Sequence, residues 1–177
     1  MKDYATGQLR NVVLLGHGNA GKTSLGEALL FASGATNRLG RVEDGTTVSD
    51  FDEEEIRRHI SLSLALLPIE WQGCKINVLD TPGYTDFVGE VKSAVRVADL
   101  ALMVVDAVSG VEVGTELVWN YAEEQGLPRM VVVNKMNREN ASLDRTLKAL
   151  RETFGQEFVL VQLPVGAEGN LAGVVDL

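Results

Sequence analysis

At 177 residues, with 45% hydrophobic and 23% charged, the chain has the composition of a soluble globular protein and length for one domain with a sizeable core. Its formal net charge of −9 argues against independent binding to nucleic acid or to an anionic membrane surface. No apolar run nears the roughly 18 residues of a membrane span, and Met1-Lys2-Asp3-Tyr4 does not open as a secretory signal does.

Apolar runs bounded by turn residues alternate with segments of helical period. This predicts an α/β fold, a mostly parallel sheet with helices on both faces. Asn11 to Leu15 reads as a buried strand, followed by a glycine-rich loop from Gly16 to Gly21. From Lys22, the residues Leu25, Ala28, Leu29 and Ala32 give a helix face that stops near Gly34. Residues 35 to 59 are polar and aperiodic, a long loop whose length suggests function. Within it, Glu53-Glu54-Glu55 and Arg57-Arg58 read as a solvated face and His59 as a surface residue.

Ser61 to Leu67 and Lys75 to Asp80 read as strands joined around Trp71-Gln72-Gly73. The lone Cys74 between them cannot close an internal disulfide, which fits a reduced, cytoplasmic setting. Val88, Val91, Ala94, Val95 and Ala98 mark a second helix, and Leu100 to Val105 is an uninterrupted strand. Leu117, Val118, Tyr121 and Ala122 mark a third helix, with Met130 to Val133 as the next strand. Leu143, Leu147, Leu150 and Phe154 trace a fourth helix, and Val159 to Leu163 a further strand. The tail from Gly166 to Leu177 ends in an apolar stretch with nothing after it to cover it, as expected of a truncated chain.

Gly16-His17-Gly18-Asn19-Ala20-Gly21-Lys22-Thr23 fits G-x-x-x-x-G-K-S/T between a strand and a helix. In such a loop, backbone N–H groups turn inward around phosphates where side chains would block approach. Lys22 brings a charge to the β- and γ-phosphates, the Thr23 hydroxyl can ligate Mg²⁺, and the helix amino terminus favours the anion. His17 through Ser24 are the expected phosphate-binding residues.

Asp80-Thr81-Pro82-Gly83 lies behind an apolar strand. Asp80 can hold Mg²⁺ through water, and the Gly83 N–H can approach a γ-phosphate because no side chain intervenes. The long loop should supply a hydroxyl that senses metal and γ-phosphate together. Ser61 is the candidate, with Thr46 and Thr47 behind it.

Asn134-Lys135-Met136-Asn137 ends a buried strand, where open α/β sheets bind ligands. With the phosphate loop, Asp80-Thr81-Pro82-Gly83, the run from Leu127 to Met136 and Leu163-Pro164-Val165-Gly166-Ala167-Glu168, the chain resembles the G domain of elongation factor G over nearly its whole length. The resemblance implies a P-loop GTPase that binds GTP or GDP with Mg²⁺ and acts on the ribosome in protein biosynthesis. It further implies that residues 164–177 open an inserted subdomain. Residues 1–177 would then be a G domain incomplete at its carboxyl end, lacking the family's last guanine-contacting loop.

Two positions depart from the family pattern. In N-K-x-D the asparagine bonds the guanine edge and loop backbone, the lysine packs along the base, and the aspartate takes two bonds from guanine. Asn134 and Lys135 keep their roles, whereas Asn137 replaces the aspartate with an amide whose NH₂ opposes a guanine donor. Xanthine, with an oxygen in place of the amino group, suits the amide better; Glu139 or Asn140 could stand in as acceptor. The family also reads D-T-P-G-H, its histidine orienting the attacking water, and here Tyr84 takes that place. A phenol is neutral at working pH and cannot become the cation an imidazole can. The catalytic set implied is Tyr84, Lys22 and Gly83, with slow hydrolysis in isolation. The alternatives are a nucleotide-dependent binding module that scarcely hydrolyses, or a piece without independent activity.

Overall fold

The structure, a computed structural model, describes residues 2–177. One five-stranded sheet runs in the order β2-β3-β1-β4-β5, built from β1 (Leu9–Leu15), β2 (Ala65–Trp71), β3 (Cys74–Asp80), β4 (Leu100–Asp106) and β5 (Arg129–Asn134). β2 pairs antiparallel with β3, and the other pairings are parallel. The helices are α1 (Lys22–Ala32), α2 (Glu53–Arg58), α3 (Val88–Val97), α4 (Val113–Glu124) and α5 (Leu143–Phe154). A separate pair, β6 (Gln162–Val165) and β7 (Gly173–Asp176), is antiparallel. The expected α/β class, with a mostly parallel sheet between helices, is the one observed.

The apolar run of β1 is buried because successive side chains enter opposite layers. Val13 and Leu15 pack with α3 and α4, while Leu14 packs with Leu30 of α1 and with Leu67 and Ile69 of β2. α5 lies against Val105, and its Phe154 stacks on Trp119 of α4 with ring centroids 4.0 Å apart. Leu14 stands opposite both Asp80 and Leu102, and Asp106 opposite Asn134. The carboxyl ends of β1, β3, β4 and β5 therefore finish along one edge, and the motifs that follow them are neighbours.

Several local expectations are corrected. On α1 the buried positions are Lys22, Gly26, Glu27 and Leu30, one residue out of step with the apolar reading; Ala28 and Ala32 are exposed. Gly26 faces β2 so closely that a Cβ there would lie 2.7 Å from Leu67 Cδ1. The long loop contains α2, started by a capping box in which Asp52 accepts from Glu54 N and Glu55 accepts from Asp52 N.

β2 begins at Ala65 rather than Ser61, because carboxylates and not a ladder take the preceding amides. Glu55 accepts from Leu62 N (2.8 Å) and Ser63 N (3.0 Å), and Glu90 accepts from Leu64 N (3.0 Å). The strand then runs through Pro68, which an edge strand tolerates. Gln72 and Gly73, with φ of 46° and 79°, make the tight turn into β3.

Val159 to Leu163 does not extend the main sheet. Val159 is exposed, and the backbone pairs from Gln162 onward with the nearby β7, a local closure of small entropic cost. No helix among the described residues is long and apolar enough to cross a membrane.

Candidate functional site

The loop after β1 bends around the amino end of α1. Gly21 has φ 98°, and a Cβ on it would lie 2.3 Å from Asn134 Nδ2, so both backbone conformation and crowding require glycine. The first intrahelical bond runs from Leu25 N to Gly21 O, which leaves the earlier amides of α1 without helical partners and available to an anion. Lys22 is buried, and its Nζ donates to Gly16 O and His17 O, both at 3.0 Å. Burial pulls its pKa down to about 8, while Asp80 draws it up. The ammonium is thus held at the loop's concave side, short of counter-charge.

The other loop residues divide. Gly18, Asn19, Gly21, Thr23 and Ser24 line a cleft of about 340 Å³ together with Lys22. Ala20 is buried, and its carbonyl accepts from Asn134 Nδ2 at 2.9 Å. The His17 imidazole turns toward the start of α4, with Nε2 3.5 Å from Glu112 Oε1. Only its backbone therefore belongs to the bend.

Across the cleft, the Thr23 hydroxyl donates to Asp80 Oδ2 at 2.8 Å and lies 3.1 Å from Ser61 Oγ. Asp80 is 1% exposed, and its Oδ1 is buried without a partner. Burial raises its pKa to about 6, against the pull of the Thr23 bond and of Lys22, so the carboxylate is largely ionised at neutral pH. A carboxylate with one oxygen free and the other bonded to the Thr23 hydroxyl, with the Ser61 hydroxyl 3.1 Å beyond, is an oxygen-rich set of the kind Mg²⁺ takes, and the residues present fit that ion. Thr46 and Thr47 do not reach this point. Thr46 Oγ1 accepts from Arg41 N at 3.1 Å, and Thr47 Oγ1 donates to Asp50 Oδ2 at 3.3 Å.

The Asp80–Gly83 segment is pinned to β1 by Thr81, whose buried hydroxyl donates to Leu14 O at 2.6 Å. Gly83 presses on the phosphate loop; a Cβ there would lie 2.6 Å from Lys22 Nζ and 2.7 Å from Gly18 Cα. Tyr84 follows, partly exposed, with its phenol oxygen 3.5 Å from Asn19 Nδ2.

At the end of β5, Lys135 has φ 60°, and its Nζ donates to Asn19 O at 2.5 Å and Asp106 Oδ2 at 2.7 Å. Asn137 is exposed on the loop beyond. Glu168 brackets that loop, donating its N–H to Met136 O at 3.2 Å and accepting from Asn140 N at 2.8 Å.

Sequence reasoning missed Asp50, Glu55, Asp106 and Glu168. Glu55 carried a local signal, since Asp52-x-x-Glu55 has capping-box spacing. His59 is exposed as read, its Nδ1 2.9 Å from Val42 O. A second groove, of about 520 Å³, follows β5 and the segment after α5, and its walls are mainly aliphatic and aromatic.

Residues 7–170 match the family model described as the elongation factor Tu GTP binding domain. The chain is 46% identical over 169 residues to elongation factor G 2 of Streptomyces coelicolor, covering 96% of this chain and 25% of that protein. It is 40% identical to elongation factor G of Mycoplasma pneumoniae, covering 95% of this chain and 24% of the relative. A crystal structure of a protein from Thermus thermophilus superposes with a TM-score of 0.90 at 43% identity, covering 96% of this chain and 25% of that one. The chain thus spans about a quarter of the length of these relatives. It belongs to the elongation factor Tu GTP-binding domain family.

Proposed function

We propose that this chain binds GTP and GDP with Mg²⁺ and hydrolyses GTP, as the G domain of an elongation-factor-G-like protein working on the ribosome in the cytoplasm. The observation that carries this reading is a convergence at one sheet edge. Lys22, Thr23, Asp80, Gly83, Asn134 and Lys135 follow the ends of three separate strands, and Lys135 and Asn134 bond directly to the phosphate loop.

In this reading the α1 amides and Lys22 hold the phosphates, and Gly83 N–H senses the γ-phosphate. Asn134 and Lys135 frame the base. Thr23, Ser61 and Asp80 would hold Mg²⁺, which supplies charge neutralisation for the phosphates. Loss of the γ-phosphate would release the segments carrying Ser61 and Gly83, and that release is what a ribosome-bound partner would sense. Hydrolysis is slow in isolation, because the neutral Tyr84 stands where the family places a histidine. The β6–β7 pair, separate from the main sheet, supports residues 164–177 as the start of an inserted subdomain.

A thermal melt with and without Mg²⁺·GDP tests binding. Ligand at a hundred times its dissociation constant adds about 2.7 kcal/mol to stability. An unchanged melting temperature at millimolar ligand would remove the nucleotide reading. Single-turnover phosphate release with and without ribosomes then separates a GTPase from a binding module.

A further inference from the structure

Each hydroxyl at the metal-binding position has one proton to give, and both are already committed. Thr23 Oγ1 donates to Asp80 Oδ2 at 2.8 Å, and Ser61 Oγ donates to Asp50 Oδ1 at 2.7 Å. Yet the two hydroxyl oxygens lie 3.1 Å apart. When Thr23 gives its proton to Asp80 and Ser61 gives its own to Asp50, none lies between the two oxygens and their lone pairs face each other. A cation against both oxygens favours this proton arrangement over one in which either hydroxyl donates to the other. Adjacent ligands of an octahedral Mg²⁺ sit about 3 Å apart, from ligand distances of roughly 2.0–2.1 Å. Asp80 Oδ1 makes no hydrogen bond of ordinary geometry, although the buried Ser49 hydroxyl stands near enough to favour the ionised carboxylate, and a cation would complete its surroundings.

Resting on the nucleotide–magnesium reading, we propose that Asp50 is a positioning residue for the metal site: by taking the Ser61 proton, it turns that hydroxyl's lone pairs toward the cation. Asp50 is 4% exposed, and its other oxygen accepts from Thr47 at 3.3 Å, so the carboxylate is itself fixed. It also spans the long loop. Asp50 and Ser61 flank α2, so their bond closes this segment into one unit whose seating depends on the metal. Were residue 50 an amide, it could offer N–H to Ser61, and the hydroxyl would reverse and point its own proton at the cation. Partners that orient metal ligands are worth about tenfold to a hundredfold in metal affinity.

The experiment follows release of the non-hydrolysable β,γ-imido analogue of N-methylanthraniloyl-GTP from the 177-residue chain as Mg²⁺ is titrated, because the Ser61 segment is held only while a γ-phosphate is present. Asp50→Asn should raise the Mg²⁺ concentration for half-maximal retention about tenfold or more, as should Ser61→Ala. Because Asp50 acts through Ser61, Asp50→Asn added to Ser61→Ala should bring little further change. Asp50→Glu keeps the charge but displaces the carboxylate, and gives a second reading should the amide variant fold poorly; a rise of several-fold is expected. Half-saturation within about twofold of wild type in the folded Asp50 variants, or an undiminished Asp50→Asn effect in the Ser61→Ala background, would overturn the role of Asp50. A wild-type chain whose retention ignores Mg²⁺, or that holds no nucleotide, overturns the underlying reading and this proposal together.

Discussion

The ring of Tyr84 lies against Gly18 of the phosphate loop, where a Cβ would come within 3.1 Å of the phenol's Cζ. The Asn19 amide approaches the phenol oxygen at 3.5 Å, the outer limit of a hydrogen bond. Tyr84 thus sits over the Gly18–Asn19 bend with its hydroxyl toward Asn19. It can contact water but cannot supply a positive charge. Phosphate release by the isolated chain should be slow. In the complete protein, Tyr84→His should accelerate ribosome-stimulated turnover, by up to about a hundredfold if the imidazole recovers the work of one positioned group. Turnover unchanged by the substitution would remove Tyr84 from the reaction.

Base selectivity should follow Asn137. Its amide offers one acceptor oxygen, and its NH₂ opposes a guanine donor, for a cost of about 2–4 kcal/mol against a carboxylate. That corresponds to roughly a thirty- to thousandfold loss of GDP affinity. Asn137→Asp should restore GDP binding by this factor, while the wild-type chain should favour XDP. Equal, tight GDP binding by both proteins would mean another group serves as acceptor. Asn140 is then a weaker suspect through its backbone carbonyl, which already accepts from Arg145 Nη2.

What can be read from the sequence is what backbone chemistry constrains. Gly21 must be glycine for two local reasons, and Asp80 and Asn134 must end strands. Strand-end neighbours in an open parallel sheet can be brought together without knowing any side-chain partner. Asp50 and Glu55 lie in a polar, aperiodic run, where carboxylates read as solvated; both are buried, with Ser61, Leu62 and Ser63 beyond that run among their partners. Trp119 is hidden for the same reason, its partner Phe154 lying on another helix. β6 departs from expectation because an apolar run reveals strand character but not which neighbour it pairs with.

Lys135 depends on Asp106, and that dependence titrates. Burial pushes the Asp106 carboxyl up, but the Lys135 ammonium and the Val108 and Ser109 amides outweigh it and hold it below its ordinary value. A carboxyl depressed in the folded state contributes stability above its unfolded pKa of 3.8, and loses it as pH falls through the lower folded value. Asp106→Asn should therefore destabilise the chain by about 1.5–3 kcal/mol near neutral pH. The gap from wild type should begin to narrow as pH falls below about 4 and close only below the depressed folded value. Urea denaturation at about pH 7 and about pH 3.5 checks this, and a gap that does not shrink in acid would show that the ion pair is not its source.

Glu55 is the buried carboxylate that shapes the long loop. It is 1% exposed and accepts from Asp52 N at 3.1 Å, Leu62 N at 2.8 Å and Ser63 N at 3.0 Å. These bonds fold α2 back onto the entrance of β2 and so set where Ser61 stands. Removing the acceptor leaves three part-buried amides without their present partner. Glu55→Ala should cost about 2–4 kcal/mol, which for a chain of this size lowers the melting temperature by roughly 4–16 °C. Glu55→Gln keeps a single acceptor oxygen and should lose less. The damage should also be local, with hydrogen exchange accelerating at residues 60–64 before it does in β1 or β4. Faster exchange spread evenly over the sheet would instead mean that Glu55 supports the whole core and holds no loop in particular.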